Sequence, residues 1–66
     1  MTIKGLCINS VTVYMASRGL RLWTSEEKHG LLEVTYLRTH AGVTVEEVTV
    51  LFGRDGRAGL FRHWES

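Results

Sequence analysis

The chain has 66 residues, a single cysteine, no proline and a formal net charge of +1. This length predicts one small domain, 1–66, with a thin core, because folding at this size buries only about 60% of the unfolded chain's surface. One cysteine excludes a disulfide framework, three scattered histidines give no metal-ligand spacing, and no apolar run approaches the ~20 residues of a membrane span.

These features predict a protein without a metal, a cofactor or a membrane association. The start of the chain, 1–9, contains no apolar stretch of the length found in signal peptides, so the expected location is the cytoplasm. The charge balance is compatible with nucleic-acid binding but does not argue for it, since strong binders usually carry a larger basic excess.

Composition favours strands, with seven valines and seven threonines against three alanines. The first expected strand is Thr2–Ile8, at a sheet edge. The second is Val11–Met15, whose residues alternate between two faces, and a turn at 17–19 leads to a third strand, Leu20–Trp23.

Residues 24–40 allow two interpretations. Thr24 and Glu27 have the spacing of a capping box, which predicts a short helical turn or, in an α+β alternative, a helix near 24–40. The apolar residues of 31–40 form no stripe at helical spacing, whereas they alternate as in a strand. A strand is the preferred interpretation.

The last third of the chain predicts two strands around a hairpin. Val43–Val50 alternates after a turn at Ala41-Gly42, with a phase slip at Glu46-Glu47 that indicates a β-bulge. Asp55-Gly56 predicts a two-residue hairpin turn, which would place Arg54 opposite Arg57.

This C-terminal hairpin is apolar on both sides. One face would carry Val48, Val50, Phe52, Phe61 and His63, and the other Thr49, Leu51, Leu60, Arg62 and Trp64. The predicted fold is therefore all-β: a small antiparallel meander or half-barrel of five or six short strands with a C-terminal hairpin. A homo-oligomer is expected, joined through strand edges or through an interface of Leu51, Leu60 and Trp64.

An α-helical alternative arises from the same residues. The segment W-T-S-E-E at 23–27 is similar to the opening of Myb/SANT repeats, and residues 41–64 resemble the helix-turn-helix of bacterial regulators such as the TetR-like proteins. The resemblance implies helices over 45–52 and 57–64, with arginines and His63 meeting DNA. Against it, Gly56 and Gly59 would each cost about 1 kcal/mol in or beside the second of these helices.

A shorter resemblance concerns V-T-V-Y-M-A-S-R-G at 11–19. This segment looks like a strand and turn of ring-forming RNA-binding β-proteins, the Trp RNA-binding attenuation protein and the Sm/Hfq family. It covers about ten residues, and the basic residues used by the attenuation protein's family do not fall on matching positions.

The predicted function is a non-enzymatic binding module. Glu46 and Glu47 are adjacent and would point to opposite faces, so they form no catalytic pair, and Cys7 is expected to be a small buried hydrophobe. The candidate residues for nucleic-acid or anion binding are Arg54, Arg57, Arg62 and Arg18. The alternatives are a protein–protein interaction factor or an inhibitor encoded by a mobile element, and the helix-turn-helix regulator.

Overall fold

A computed structural model describes residues 2–66, which contain one helix and four strands. The elements in chain order are α1 (Ile8–Ser17), β1 (Arg21–Lys28), β2 (Leu31–His40), β3 (Val43–Phe52) and β4 (Ala58–Glu65). The strands form a single open antiparallel sheet in the order β1-β2-β3-β4. The predictions of a mostly β meander and a C-terminal hairpin are confirmed. The predicted count of five or six strands is wrong, and the sheet does not curl into a half-barrel.

The largest error lies at α1, where a strand was predicted over 11–15. The alternation of Val11, Val13 and Met15 suggested a strand, but Val11 and Met15 are also four residues apart and therefore share one side of a helix. Both are fully buried against the sheet, whereas Val13 is 70% exposed. Burial of this helical face outweighs the weak strand propensity of valine and threonine.

α1 ends in a Schellman motif, at the place where the sequence predicted only a turn. Gly19 has φ +81°, and its backbone N–H donates to the carbonyl of Ala16. The N–H of Leu20 donates to the carbonyl of Met15 at 2.9 Å, and the two side chains are both buried. A left-handed glycine followed by an apolar residue is the usual way to close a helix in this manner.

The two tightest hairpin turns join β1 to β2 and β2 to β3, and only the second of them was predicted from the sequence. His29-Gly30 joins β1 to β2 with φ values of 55° and 78°, and Ala41-Gly42 joins β2 to β3 with 52° and 78°. Positive φ at both central residues defines a type I′ turn, whose twist matches that of the strands. The predicted turn at 41–42 is confirmed, and residues 24–29 form most of a strand and the start of a turn rather than a helix.

The last hairpin has a three-residue loop instead of the predicted two-residue turn. The N–H of Gly56 donates to the carbonyl of Gly53, and the N–H of Gly53 donates to the carbonyl of Arg57, each at 2.9 Å. Only Gly56 in this loop takes positive φ. Arg57 therefore pairs with Gly53, and the predicted Arg54–Arg57 opposition is wrong.

Three bulges bend the sheet. The register leaves one extra residue at Trp23 in β1 and at Val45 in β3. The third lies in β4, where Gly59 and Leu60 stand against one residue of β3. The bulge predicted at Glu46-Glu47 exists but lies one residue earlier. Beyond the third bulge the predicted pairings of Val50 with Phe61 and Val48 with His63 are confirmed.

The N-terminal segment is an irregular arm and not the predicted edge strand. Its backbone exchanges hydrogen bonds of 2.8 Å with both polar groups of Ala58, and Cys7 forms an isolated bridge with Arg57. The guanidinium of Arg57 also donates to the carbonyl of Gly5 at 2.9 Å. These contacts bring the arm to the start of β4, where it adds Ile3 to the core.

The core lies between α1, the arm and one face of the sheet. Its buried apolar members are Ile3, Val11, Met15, Leu20, Val34, Tyr36, Val48, Val50, Phe52 and Ala58. The predicted core face of the hairpin is confirmed for its β3 half. Phe61 and His63 of β4 stay partly exposed, because β4 is an edge strand.

The helix-turn-helix interpretation is wrong, because both segments that would form its helices are strands. Residues 45–52 belong to β3 and residues 58–64 to β4, and β3 is hydrogen-bonded on both sides. The α+β alternative with a helix near 24–40 is wrong in position. The helix lies at 8–17, and 31–40 is the preferred strand.

We expect Tyr36→Phe to lower the free energy of unfolding by about 1 kcal/mol. The hydroxyl of Tyr36 shares a 2.8 Å hydrogen bond with Thr12 and forms the polar link between sheet and helix. Burial raises the pKa of Tyr36, and the bond to Thr12 opposes that rise. Urea denaturation measures the change, and Thr12→Val should cost a similar amount without adding to it in the double variant. Full additivity would show that the bond contributes nothing.

Candidate interaction surface

The sheet face turned away from α1 carries three of the exposed large apolar side chains of residues 2–66, namely Trp23, Leu60 and Trp64. We call it the open face. From the register of the four strands it consists of Arg21, Trp23, Thr24, Glu26, Lys28, Leu31, Glu33, Thr35, Leu37, Thr39, Thr44, Glu47, Thr49, Leu51, Leu60, Arg62 and Trp64.

This face stays uncovered for a simple reason. A helix of ten residues is about 15 Å long and can lie on one side of a sheet only. In the part of the chain that the structure describes, α1 is the only helix, and it packs on the opposite side. The apolar residues of the open face therefore meet solvent.

One row across the open face forms a groove. Leu37, Glu47 and Trp64 are direct cross-strand neighbours on β2, β3 and β4. The bulge in β1 adds Trp23 at the other end, and the cavity between the two tryptophans measures ≈ 530 Å³. Trp23 is 67% exposed and Trp64 52% exposed. Both tryptophans of the chain thus wall one groove.

A smaller cavity of ≈ 210 Å³ lies further along the same strands. Its lining includes Leu51, Leu60 and Arg62. Leu60 is 76% exposed, although it is large and apolar. The hydroxyls of Thr35 and Thr49 share a 3.2 Å hydrogen bond in the middle of the open face, so a polar contact separates the two cavities.

The three residues predicted as an interface share the open face. Trp64 lines the groove, and Leu51 and Leu60 line the smaller cavity. Sequence reasoning missed Trp23 and Glu47 as their neighbours. No feature of the sequence indicates the bulge that turns Trp23 to this side. The predicted hairpin register, continued by one residue, would pair Glu47 with Trp64.

The four predicted anion-binding arginines do not form one cluster. Arg62 is in register with Thr49 on the open face, whereas Arg18 follows α1 with its guanidinium 5.8 Å from the ring centre of Tyr14. Arg54 is exposed in the last hairpin loop, and Arg57 is engaged with Gly5. Their role in binding stays a prediction.

A second polar cluster lies on the helix side of the sheet, near one end. Glu46 is buried. Its Oε1 accepts a hydrogen bond from Arg38 Nε at 2.8 Å, and its Oε2 is hydrogen-bonded to His63 Nε2 at 2.7 Å. A second nitrogen of Arg38 donates to Glu65 at 3.1 Å. The hydrogen bonds from Arg38 and His63 hold the pKa of Glu46 below its usual value, against the opposing effect of burial.

Glu46, His63 and Glu65 also have the composition of a metal site, with ligand atoms within 4.8 Å of one another. Both oxygens of Glu46 are already used, and the guanidinium of Arg38 places a positive charge among the three ligands. A cation would have to displace that charge. The cluster is therefore best explained as an ion-pair network that joins β2, β3 and β4.

Cys7 is exposed, contrary to the expected burial. It precedes α1, and its Sγ lies 3.4 Å from the hydroxyl of Ser10, which lowers the pKa of the thiol. No histidine or second cysteine stands in hydrogen-bond contact with it within residues 2–66. This environment gives the thiol no base partner.

Comparison of the chain with protein-family models, with curated proteins and with solved structures gave no match. Over residues 2–66, no helix is both long and apolar enough to cross a membrane. The surface chemistry of the domain is therefore the basis for an argument about function.

Proposed function

We propose that this domain is a non-enzymatic protein-interaction module that binds a partner protein through its open face. The observation that carries the proposal is the exposure of Trp23, Trp64 and Leu60 on one uncovered sheet face. Large apolar side chains that gather on one exposed surface mark interaction sites, whereas scattered ones do not. Tryptophan is also among the residues that dominate the energy of protein interfaces.

The size of the open face fits such a role. Four strands spaced about 4.8 Å apart, with eight to ten residues at about 3.3 Å each, offer roughly 500 Å² in projection. The accessible area of protruding side chains exceeds the projected area. A standard protein interface buries about 800 Å² on each partner, so the open face and its rim are sufficient.

The charges of the open face favour a protein over a nucleic acid. Three basic residues, Arg21, Lys28 and Arg62, are matched by three acidic ones, Glu26, Glu33 and Glu47. Affinity for nucleic acid comes largely from basic side chains that neutralise phosphates and so release their counterions, and a surface without a surplus of positive charge offers little of it. A balanced mixture around apolar residues is typical of the rim of a protein interface.

Nucleic-acid binding remains the second candidate. Exposed tryptophans on a sheet can stack on unpaired bases, and Arg62 lies on the same face. The absence of a basic surplus on the open face makes this the weaker proposal.

Selection from a random peptide library displayed on phage tests the proposed function. We expect selected peptides to bind the wild-type domain and to lose about tenfold or more in affinity for Leu60→Asp and Trp64→Ala, since both remove apolar contact area at the interface. The matched control is Val13→Asp. Val13 is 70% exposed, close to the 76% of Leu60, but it lies on α1.

Four results would overturn the proposal of a partner protein. Selection of no peptides, or an equal loss with Val13→Asp, removes the open face as the binding surface. Binding of single-stranded RNA or DNA that weakens with salt and with Trp64→Ala would assign the surface to nucleic acid. A wild-type dimer in sedimentation velocity that becomes a monomer in Leu60→Asp would assign the open face to a second copy of the chain, in agreement with the predicted homo-oligomer.

A further inference from the structure

We propose that the groove between Trp23 and Trp64 is a binding site for an arginine side chain of the partner protein. This inference rests on the proposed function, because it takes the open face as the binding surface. The groove combines three features that one ligand class satisfies together: two aromatic walls, an apolar floor and a single carboxylate.

The walls suit a cation. In the sheet, Trp23 and Trp64 stand on β1 and β4, three strand spacings or about 14 Å apart. Their indole side chains reach into the space between, which leaves a cavity of ≈ 530 Å³. Tryptophan has the ring face that attracts cations most strongly, at up to about 6 Å from the ring centre.

The floor supplies a charge and an apolar strip. Leu37 and Glu47 are direct cross-strand neighbours between the two walls. Within residues 2–66, the carboxylate of Glu47 has neither a hydrogen bond nor an ion pair, in contrast with the adjacent Glu46. Two arginines of the open face lie near it, Arg21 opposite Leu37 in the same row and Arg62 in the next row of β4, and neither pairs with it.

Arginine matches this arrangement better than other cations. Its methylene stem would cover Leu37, and its planar guanidinium would pair with Glu47 by two parallel hydrogen bonds while it stacks on indole. Lysine offers the same stem and charge but neither the plane nor the paired donors. A neutral side chain of equal length would leave Glu47 covered and unpaired, which is costly.

The test is a titration of the domain with the blocked tripeptide acetyl-Gly-Arg-Gly-amide, followed by nitrogen-15 NMR. The chain has two tryptophans, so two indole N–H signals report the two walls separately. We expect both signals to shift with saturation. The corresponding lysine tripeptide should bind more weakly than the arginine tripeptide. The citrulline tripeptide, which has the shape of arginine without its charge, should bind about tenfold more weakly or worse.

Two variants complete the test. Glu47→Gln should weaken arginine binding about tenfold, while Glu27→Gln, an exposed position on the opposite side of the sheet, should leave it unchanged. Trp23→Leu should also weaken arginine binding. The domain should tolerate this substitution because the side chain of Trp23 is exposed. Equal affinity for citrulline, or no effect of Glu47→Gln, overturns the inference. If library peptides still depend on Leu60 while this tripeptide does not bind, the proposed function stands and the arginine site falls.

Discussion

Phe52→Ala should cost about 3–5 kcal/mol of unfolding free energy, the usual range for removing a fully buried phenylalanine. Phe52 is 1% exposed and packs in the cluster shared by α1, the arm and the sheet. A domain of 66 residues has a total stability of only roughly 3–10 kcal/mol. We therefore expect the variant to be largely unfolded at 37 °C, with the loss of its cooperative transition in thermal circular dichroism.

Phe61→Ala is the matched control for this change. Phe61 is the other phenylalanine of the chain and lies on the edge strand opposite Val50, where it is 37% exposed. Because much of its surface already meets water, its removal should cost about 1 kcal/mol. Equal costs for the two variants would contradict the core defined here.

Glu46→Gln should lower the unfolding free energy by about 2 kcal/mol at neutral pH. Removing one partner of a fully buried ion pair costs about 3–5 kcal/mol, and the smaller figure applies because Arg38 and His63 keep 34% and 39% of their side-chain surface exposed. Glu47→Gln, one residue further along β3 on the open face, should change stability by less than about 0.5 kcal/mol. Urea denaturation of the two variants makes the comparison.

The effect of Glu46→Gln should depend on pH in a definite direction. The folded-state pKa of Glu46 lies below its ordinary value of 4.5, so the stabilisation is complete above that value and is lost as the pH falls through the folded pKa. The difference between wild type and Glu46→Gln should be present at about pH 5 and vanish in stronger acid, as the carboxylate of Glu46 becomes protonated. A difference that persists undiminished in strong acid would contradict the ion-pair network.

Strands β2, β3 and β4 and the turn at Ala41-Gly42 could be predicted from local pattern. In β2 and β3 the apolar residues alternate with polar ones, and glycines mark both ends of β2. The pairing of Val48 with His63 also followed from the sequence, although the loop type at Asp55-Gly56 did not. A two-residue turn without a bulge and a three-residue loop followed by a bulge in β4 give the same register further along the strands, so local signals could not separate the two solutions.

The helix and the groove between Trp23 and Trp64 could not be predicted in this way. Residues 11–15 alternate like a strand, but Val11 and Met15 also stand at helical spacing, so the choice depended on which surface was available to bury them. The groove depended on a bulge that rotates Trp23 onto the face of Trp64. The shared face of Leu51, Leu60 and Trp64 could be predicted, because it depends only on the alternation of side chains within one hairpin.

By itself the sequence determined the β-rich class, most of the strand positions and an apolar second face on the last hairpin, because all three depend on a two-residue period. The tertiary structure decided which face α1 covers and which face stays open, because a single short helix can shield one side of a four-stranded sheet. It also separated two adjacent glutamates. Glu46 is buried and paired with Arg38 and His63, whereas Glu47 lies between the two tryptophans on the open face and forms no ion pair with any residue from 2 to 66.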